Sequence, residues 1–314
     1  MPYLGEIAAL TTALCWTFTS LFFTEAGKRI GSYRVNNVRL VLAVIIYTIV
    51  LYATTGHVWP QNMNWMQFFW LALSALIGLV IGDGFGFEAF ILIGPRLTTL
   101  LWAAAPIGVT VIAWVFLGEQ LHIVDILGIA VTVGGISWVV AERRFKANGR
   151  PQPDFSDTKK VRKGILYATI AALGQGTGLV LSKQGMLYSG EPIDALPASF
   201  VRMFSAMIMI WLLTWMRGQL PSTLRAIKDG KAMVLSLGGA VFGPFFGVWM
   251  SLVAVKLIAA GIAATLNAMT PVLIIPVVMM VYKEKVSLRA MLGAILAVIG
   301  VAILFMGNEL SQLF

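Results

Sequence analysis

The amino-acid sequence predicts an all-α polytopic membrane protein, with ten transmembrane helices built as two inverted five-helix repeats. Three observations carry that prediction. Of the 314 residues, 59% are hydrophobic and only 12% charged, whereas a soluble domain carries about 25% charge. An ungapped offset of 165 pairs Pro106 with Pro271, Glu119 with Glu284, Gly82 with Gly247, Ala89 with Ala254, Leu101 with Leu266, Gly128 with Gly293 and Gly135 with Gly300. An offset held that long is an internal duplication. Finally, 20 of the 23 lysines and arginines fall in alternate loops, the bias that sets membrane orientation.

Taken in order, apolar runs long enough to cross a bilayer lie near 4–25, 35–54, 66–93, 97–117 and 124–141. A second set lies near 164–186, 198–216, 232–257, 261–281 and 287–307. This places one five-helix repeat in 1–142, a polar linker in 143–162 carrying Pro151 and Pro153, and a second repeat in 163–314. An odd number of spans per repeat turns the second copy upside down, an arrangement shared by many secondary transporters. The basic loops are expected on the cytoplasmic side, which puts both termini outside the cytoplasm.

Composition also excludes classes. The net charge of +9 is spread over short loops, not gathered on one soluble face, so no nucleic-acid partner is expected. Cys15 is alone, so no disulfide forms within the chain. The first apolar run lacks a basic start and is read as a span, not a signal peptide. His57 and His122 are far apart, and no metal-ligand spacing, catalytic triad or phosphate-binding P-loop occurs. No enzyme, cofactor or metal is expected.

Several stretches resemble the EamA family of the drug/metabolite transporter superfamily. They are Ala13-Leu14-Cys15-Trp16, then Gly27-Lys28-Arg29-Ile30-Gly31 and Arg39. Gly94-Pro95-Arg96-Leu97, Ala105-Pro106 and Phe116-Leu117-Gly118-Glu119 follow, with Thr270-Pro271 and Lys283-Glu284 in the second half. The thirteen-residue step from proline to glutamate, present in both halves, is the most specific part. The resemblance implies a ten-helix carrier of small organic metabolites such as amino acids or amines, often an exporter, working by alternating access in a bacterial cytoplasmic membrane. Its partners would be the solute, the lipid bilayer and, as an option, protons. The best-studied relatives keep their termini in the cytoplasm, opposite to the charge bias here. Two other readings stay open: multidrug efflux of lipophilic cations, and a non-transporting membrane scaffold or sensor.

Asp83 and Glu88 are the first candidates for substrate binding or coupling, because an acid at mid-membrane costs at least about 2.5–3.5 kcal/mol. Their repeat partners are Val248 and Val253, so the fold itself does not require acids there. Five residues apart, they point about 140° from each other on a regular helix and can share a cavity only if the helix is distorted. Trp16, Trp102, Gln175, Trp249 and Asn267 sit near the middle of their spans and complete the candidate lining. Pro106, Pro244 and Pro271 are expected to shape or break helices at cavity depth. Glu119 and Glu284, at membrane edges, are read as structural charges that cap a helix or pair with bases. Arg39 and Arg202 match at offset 163. Snorkelling to the interface is their ordinary role, and anchoring a substrate carboxylate is the sharper alternative.

Overall fold

In a bilayer the backbone must satisfy its own hydrogen bonds, so apolar runs fold as helices. The computed structural model describes residues 3–103, 105–142, 158–188, 191–281 and 287–310. Among them every regular element is helical: α1 (Leu4–Ile30), α2 (Ser32–Thr55), α3 (Trp65–Ala75), α4 (Asp83–Ala103), α5 (Ala105–Leu117), α6 (Ile123–Glu142) and α7 (Thr158–Leu187). Then follow α8 (Ala195–Met216), the short α9 (Leu220–Ala226), α10 (Gly230–Ala240), α11 (Val248–Leu257), α12 (Ala260–Asn267), α13 (Thr270–Val281) and α14 (Leu288–Leu310). Wide π-helical turns join α3 to α4 at Leu76–Gly82 and α10 to α11 at Val241–Gly247. Among the described residues eight helices are long and apolar enough to cross a membrane, and two apolar stretches, Leu101–Leu117 and Ala260–Leu273, are shorter. The protein is therefore an integral membrane protein.

The two short stretches fall in the spans expected at 97–117 and 261–281, and in the second a proline breaks the helix. Pro271 has no N–H to continue a helix through it, and the chain turns at Ala268–Met269 before α13 begins at Thr270. The expected boundary between the third and fourth spans lies inside α4. There the Trp102 ring comes 2.6 Å from where a Cβ on Gly86 would stand. Sixteen residues of straight helix would separate these two positions by about 24 Å, so α4 doubles back between them.

The duplication is visible element by element. The starts of α3 and α10, both π turns, α4 and α11, α5 and α13, and α6 and α14 are all displaced by 165 residues. The first helices keep a different offset. Gly5 of α1 packs on Leu257 and Ile258, while Gly164 of α7 packs on Leu92 and Ile93. That is one contact written twice, with α7 displaced by 159 from α1. Gly247 against Cys15 and Trp16, and Gly82 against Gly174 and Gln175, repeat it. Each first helix thus packs antiparallel on the third-span unit of the other half.

Small residues make these approaches close, as in other membrane helix pairs. Gly78, Gly82 and Gly86 face Gly178, Gly174 and Ala171. In α10 and its π turn, Gly239 and Gly243 accept Phe23 and Thr19. Pro244 lies inside that π turn and leaves the carbonyl five residues back, on Gly239, without its usual donor. Thr19 Oγ1 donates to it at 3.4 Å. The buried Tyr47 hydroxyl meets the Pro244 and Phe245 carbonyls at 3.1 and 2.8 Å. Along α6 and α14, Gly128 faces Gly300 and Leu304, and Gly135 faces Gly293 and Ala297. Numbers rise on one helix as they fall on the other, so these repeat-equivalent helices run antiparallel.

Charged groups fasten the ends. Glu119 accepts the Ala260 amide at 2.7 Å, capping α12 in the other half, and pairs with Lys183 at 2.6 Å. Lys183 also donates to the Ile258 carbonyl. Glu284 and most of the linker lie outside the described residues. Outside the membrane, Asp229 accepts the Ala232 amide at 3.0 Å and the Arg29 guanidinium at 3.0 Å. The capping bond first, then Arg29, holds its carboxyl below the usual aspartate value of about 3.9. Its contribution to stability is therefore present above that value and is lost as pH falls through the lower folded one. Asp229→Ala is expected to lower the melting temperature at pH 7 and to have a shrinking effect as the buffer is taken below pH 4. Melting curves of the two proteins across that range check this.

Candidate functional site

One broken span, two π turns and the crossed first helices leave a gap where the halves meet. It is a cavity of about 470 Å³, within the usual range of about 300–1,000 Å³ for small-molecule sites. Trp16, Trp102, Gln175, Arg202 and Asn267 line it, with Thr12, Ser20, Ser251 and Thr270 adding hydroxyls. Pro106 and Pro271 line it too, Pro271 beside the N-terminus of α13. A cavity of about 630 Å³ between α2 and α8 is lined by valine, leucine, isoleucine, methionine and tryptophan side chains alone. It offers nothing to orient a polar solute.

The candidates from the sequence divide. Four of the five mid-span aromatic and amide residues line the cavity. Trp249 does not; it packs on Phe245 and Phe246, with centroids 5.9 and 6.2 Å away. Asp83 and Glu88 also part. The helix is distorted, but the π turn ends at Gly82, and from Asp83 onward the regular helical angle keeps the two acids on different faces. Asp83 is largely buried, with its side chain 12% exposed, whereas Glu88 is exposed. Asp83 lies behind the lining and gives Oδ2 to the Arg39 guanidinium and Oδ1 to the Gln175 amide.

Neither arginine snorkels. Arg39 is 6% exposed and Arg202 3%. Arg39 is held by Asp83, by the Asn36 side chain at 2.7 Å, and by the Phe23 ring at 5.7 Å. Arg202 stands differently. Its guanidinium occupies room left by Gly78 and Gly178, 2.9 and 3.1 Å from where their Cβ atoms would be. Its Nε is buried with no hydrogen-bond partner, and among the described residues no carboxylate lies within ion-pairing distance. Asn267 Oδ1 is likewise buried without a donor. Unmet polar groups of this kind are costly in a resting protein and mark where a ligand would complete the network.

Sequence reasoning missed the hydroxyl-bearing residues Thr12, Ser20, Ser251 and Thr270, since polar side chains of that size are common in membrane helices. It also missed the 159 offset, which makes Gln175 the counterpart of Trp16. Asn267 is the counterpart of Trp102 at 165. Among the described residues no group of three or more histidine, cysteine or acidic side chains could hold a metal ion.

The described residues thus form a bundle of apolar helices around a cavity set with a few polar groups. The chain belongs to the EamA-like transporter family, whose model matches residues 3–141 and 162–306, and so to the drug/metabolite transporter superfamily. A protein known from its crystal structure, one of 29 matching solved chains, superposes with a TM-score of 0.73 over 99% of each chain at 16% identity. A likeness that distant shows the fold alone. No curated protein sequence matches the chain.

Proposed function

We propose that this protein is a secondary carrier that exports a small organic metabolite, of the amino acid or amine type, by alternating access. The observation that carries this reading is the make-up of the cavity. Its walls are repeat-equivalent pairs: Trp16 with Gln175, Trp102 with Asn267, Pro106 with Pro271. A site built on the relation between two halves opens to one side or the other as the halves rock. Antiparallel packing of the equivalent helices α6 and α14 supports ten spans in two inverted halves. The loop charges support termini outside the cytoplasm, and the resemblance supports the outward direction and a bacterial cytoplasmic membrane. Coupling to protons would run through Asp83, the buried acid that bridges Arg39 and Gln175.

Counterflow in proteoliposomes tests the reading. Vesicles loaded with unlabelled amino acids or amines should accumulate labelled solute from outside, saturably and above protein-free vesicles. No accumulation with either class contradicts it. Under an imposed pH gradient, Asp83→Asn should lose gradient-driven uptake while keeping part of the exchange. Gradient-driven uptake left intact would remove Asp83 from coupling.

A further inference from the structure

We infer that the solute carries a carboxylate and that Arg202 is the group that binds it. The inference rests on the carrier reading above and names the chemistry its cavity selects. The argument begins with a broken symmetry. The duplication supplies two buried arginines, Arg39 and Arg202, at equivalent places in the two halves. It supplies one neighbouring acid, because the counterpart of Asp83 is Val248. Asp83 spends both oxygens on Arg39 and Gln175, so one guanidinium has a bonded carboxylate and the other is left to feel that acid only at a distance. The one that is left lines the cavity, and its Nε has no partner.

Two further features favour an anion in the same place. The N-terminus of α13 meets the cavity at Thr270–Pro271. Helix N-termini carry partial positive charge and point at the anionic groups of substrates in transporters with discontinuous helices. Against two guanidiniums and that terminus, the cavity region offers, among the described residues, one carboxylate, already bonded to Arg39 and Gln175. A lipophilic cation would enter a positive field with no free acid to meet it. A carboxylate meets Arg202 in a dry site, where a charge-assisted bond is strong. Asn267 Oδ1, buried and without a donor, accepts an ammonium N–H, and the Trp16 and Trp102 rings offer apolar wall to the rest. An α-amino acid satisfies all three demands.

The experiment alters the ligand before it alters the protein. Phenylalanine, leucine, threonine and glutamate are each compared with their α-carboxamides and with the matching amine lacking the carboxyl. The readouts are melting temperature of the purified chain and inhibition of counterflow. The inference expects at least one acid to bind more than tenfold more tightly than its amide and its amine. Arg202→Gln should erase that difference and Arg202→Lys should keep part of it, since an ammonium holds the charge but not the fork. If Arg202→Gln does not fold, the acid-to-amide ratio on the unaltered chain decides alone. Amides or amines binding as well as the acids would overturn the role of Arg202 while leaving the carrier reading in place. If no compound of any class binds or crosses, the carrier reading falls, and this inference with it.

Discussion

Asp83→Ala should lower stability by about 3–5 kcal/mol, the cost of removing one member of a buried ion pair. The reason is geometric. Asp83 takes the Arg39 guanidinium on one oxygen and the Gln175 amide on the other, so its loss strands a charge that is 6% exposed and frees an amide at the cavity wall. Removing both charges should cost less than removing one, because a buried pair can often be replaced by neutral groups at little or no loss. Asp83→Asn with Arg39→Met is therefore expected to be more stable than Asp83→Ala alone. Denaturation of the detergent-solubilised protein with SDS measures all three. A double variant that loses more than Asp83→Ala, as additive losses require, would show that the two residues act independently.

The second large effect lies away from the cavity, in the seam between α6 and α14. A Cβ on Gly135 would collide with the backbone nitrogen of Ala297 and stand 2.7 Å from the Gly293 oxygen. Backbone cannot rotate away as a side chain does, so Gly135→Ala must push two helices apart. Overpacking of this kind costs about 1–3 kcal/mol, and Gly135→Val should cost more. Its neighbour is the control. Gly134 has open space around its Cβ position and is exposed, so Gly134→Ala should be neutral or stabilising by up to about 1 kcal/mol through helix propensity. A melting temperature that holds or rises for Gly135→Ala as it does for Gly134→Ala would contradict the backbone clash in the seam.

Much of this architecture was legible from residues that repeat. Pro106 and Pro271 announced the duplication, and Pro271 also marks where a broken span begins again, since a residue without an N–H acts on its own helix whatever surrounds it. Glycines at 128, 135, 293 and 300 foretold a close seam for the same local reason. The pairing of the first helices was harder to read. At offset 159 α1 and α7 share little beyond small residues, Gly5, Ala9 and Ala13 over Gly164, Ala168 and Ala172. A stripe of that kind shows that a helix packs closely without showing against what.

The site was legible in part, and its least legible feature is the direction in which a charge points. Asp83 and Glu88 carry the same chemistry at nearly the same depth, yet one is buried and the other exposed, because five residues of regular helix turn them apart. Arg39 and Arg202 stand out in sequence as a matched pair at the edges of their spans. Only the packing separates them, by giving Asp83 to one of them. Trp249 has the same residue type and depth as Trp16 and Trp102, but its ring is taken up by Phe245 and Phe246.

Alternating access about the cavity between the halves is the central claim, and labelling of one position from both sides of the membrane tests it most directly. Ser251 lines the cavity and is 7% exposed, and Ser251→Cys changes little in size. With Cys15→Ser removing the native thiol, a membrane-impermeant thiol reagent is applied to oriented vesicles from one face and then, separately, from the other. Modification from both faces, slowed by a transported solute, is the predicted result. Modification from a single face only, in a preparation that still carries out counterflow, would contradict the account.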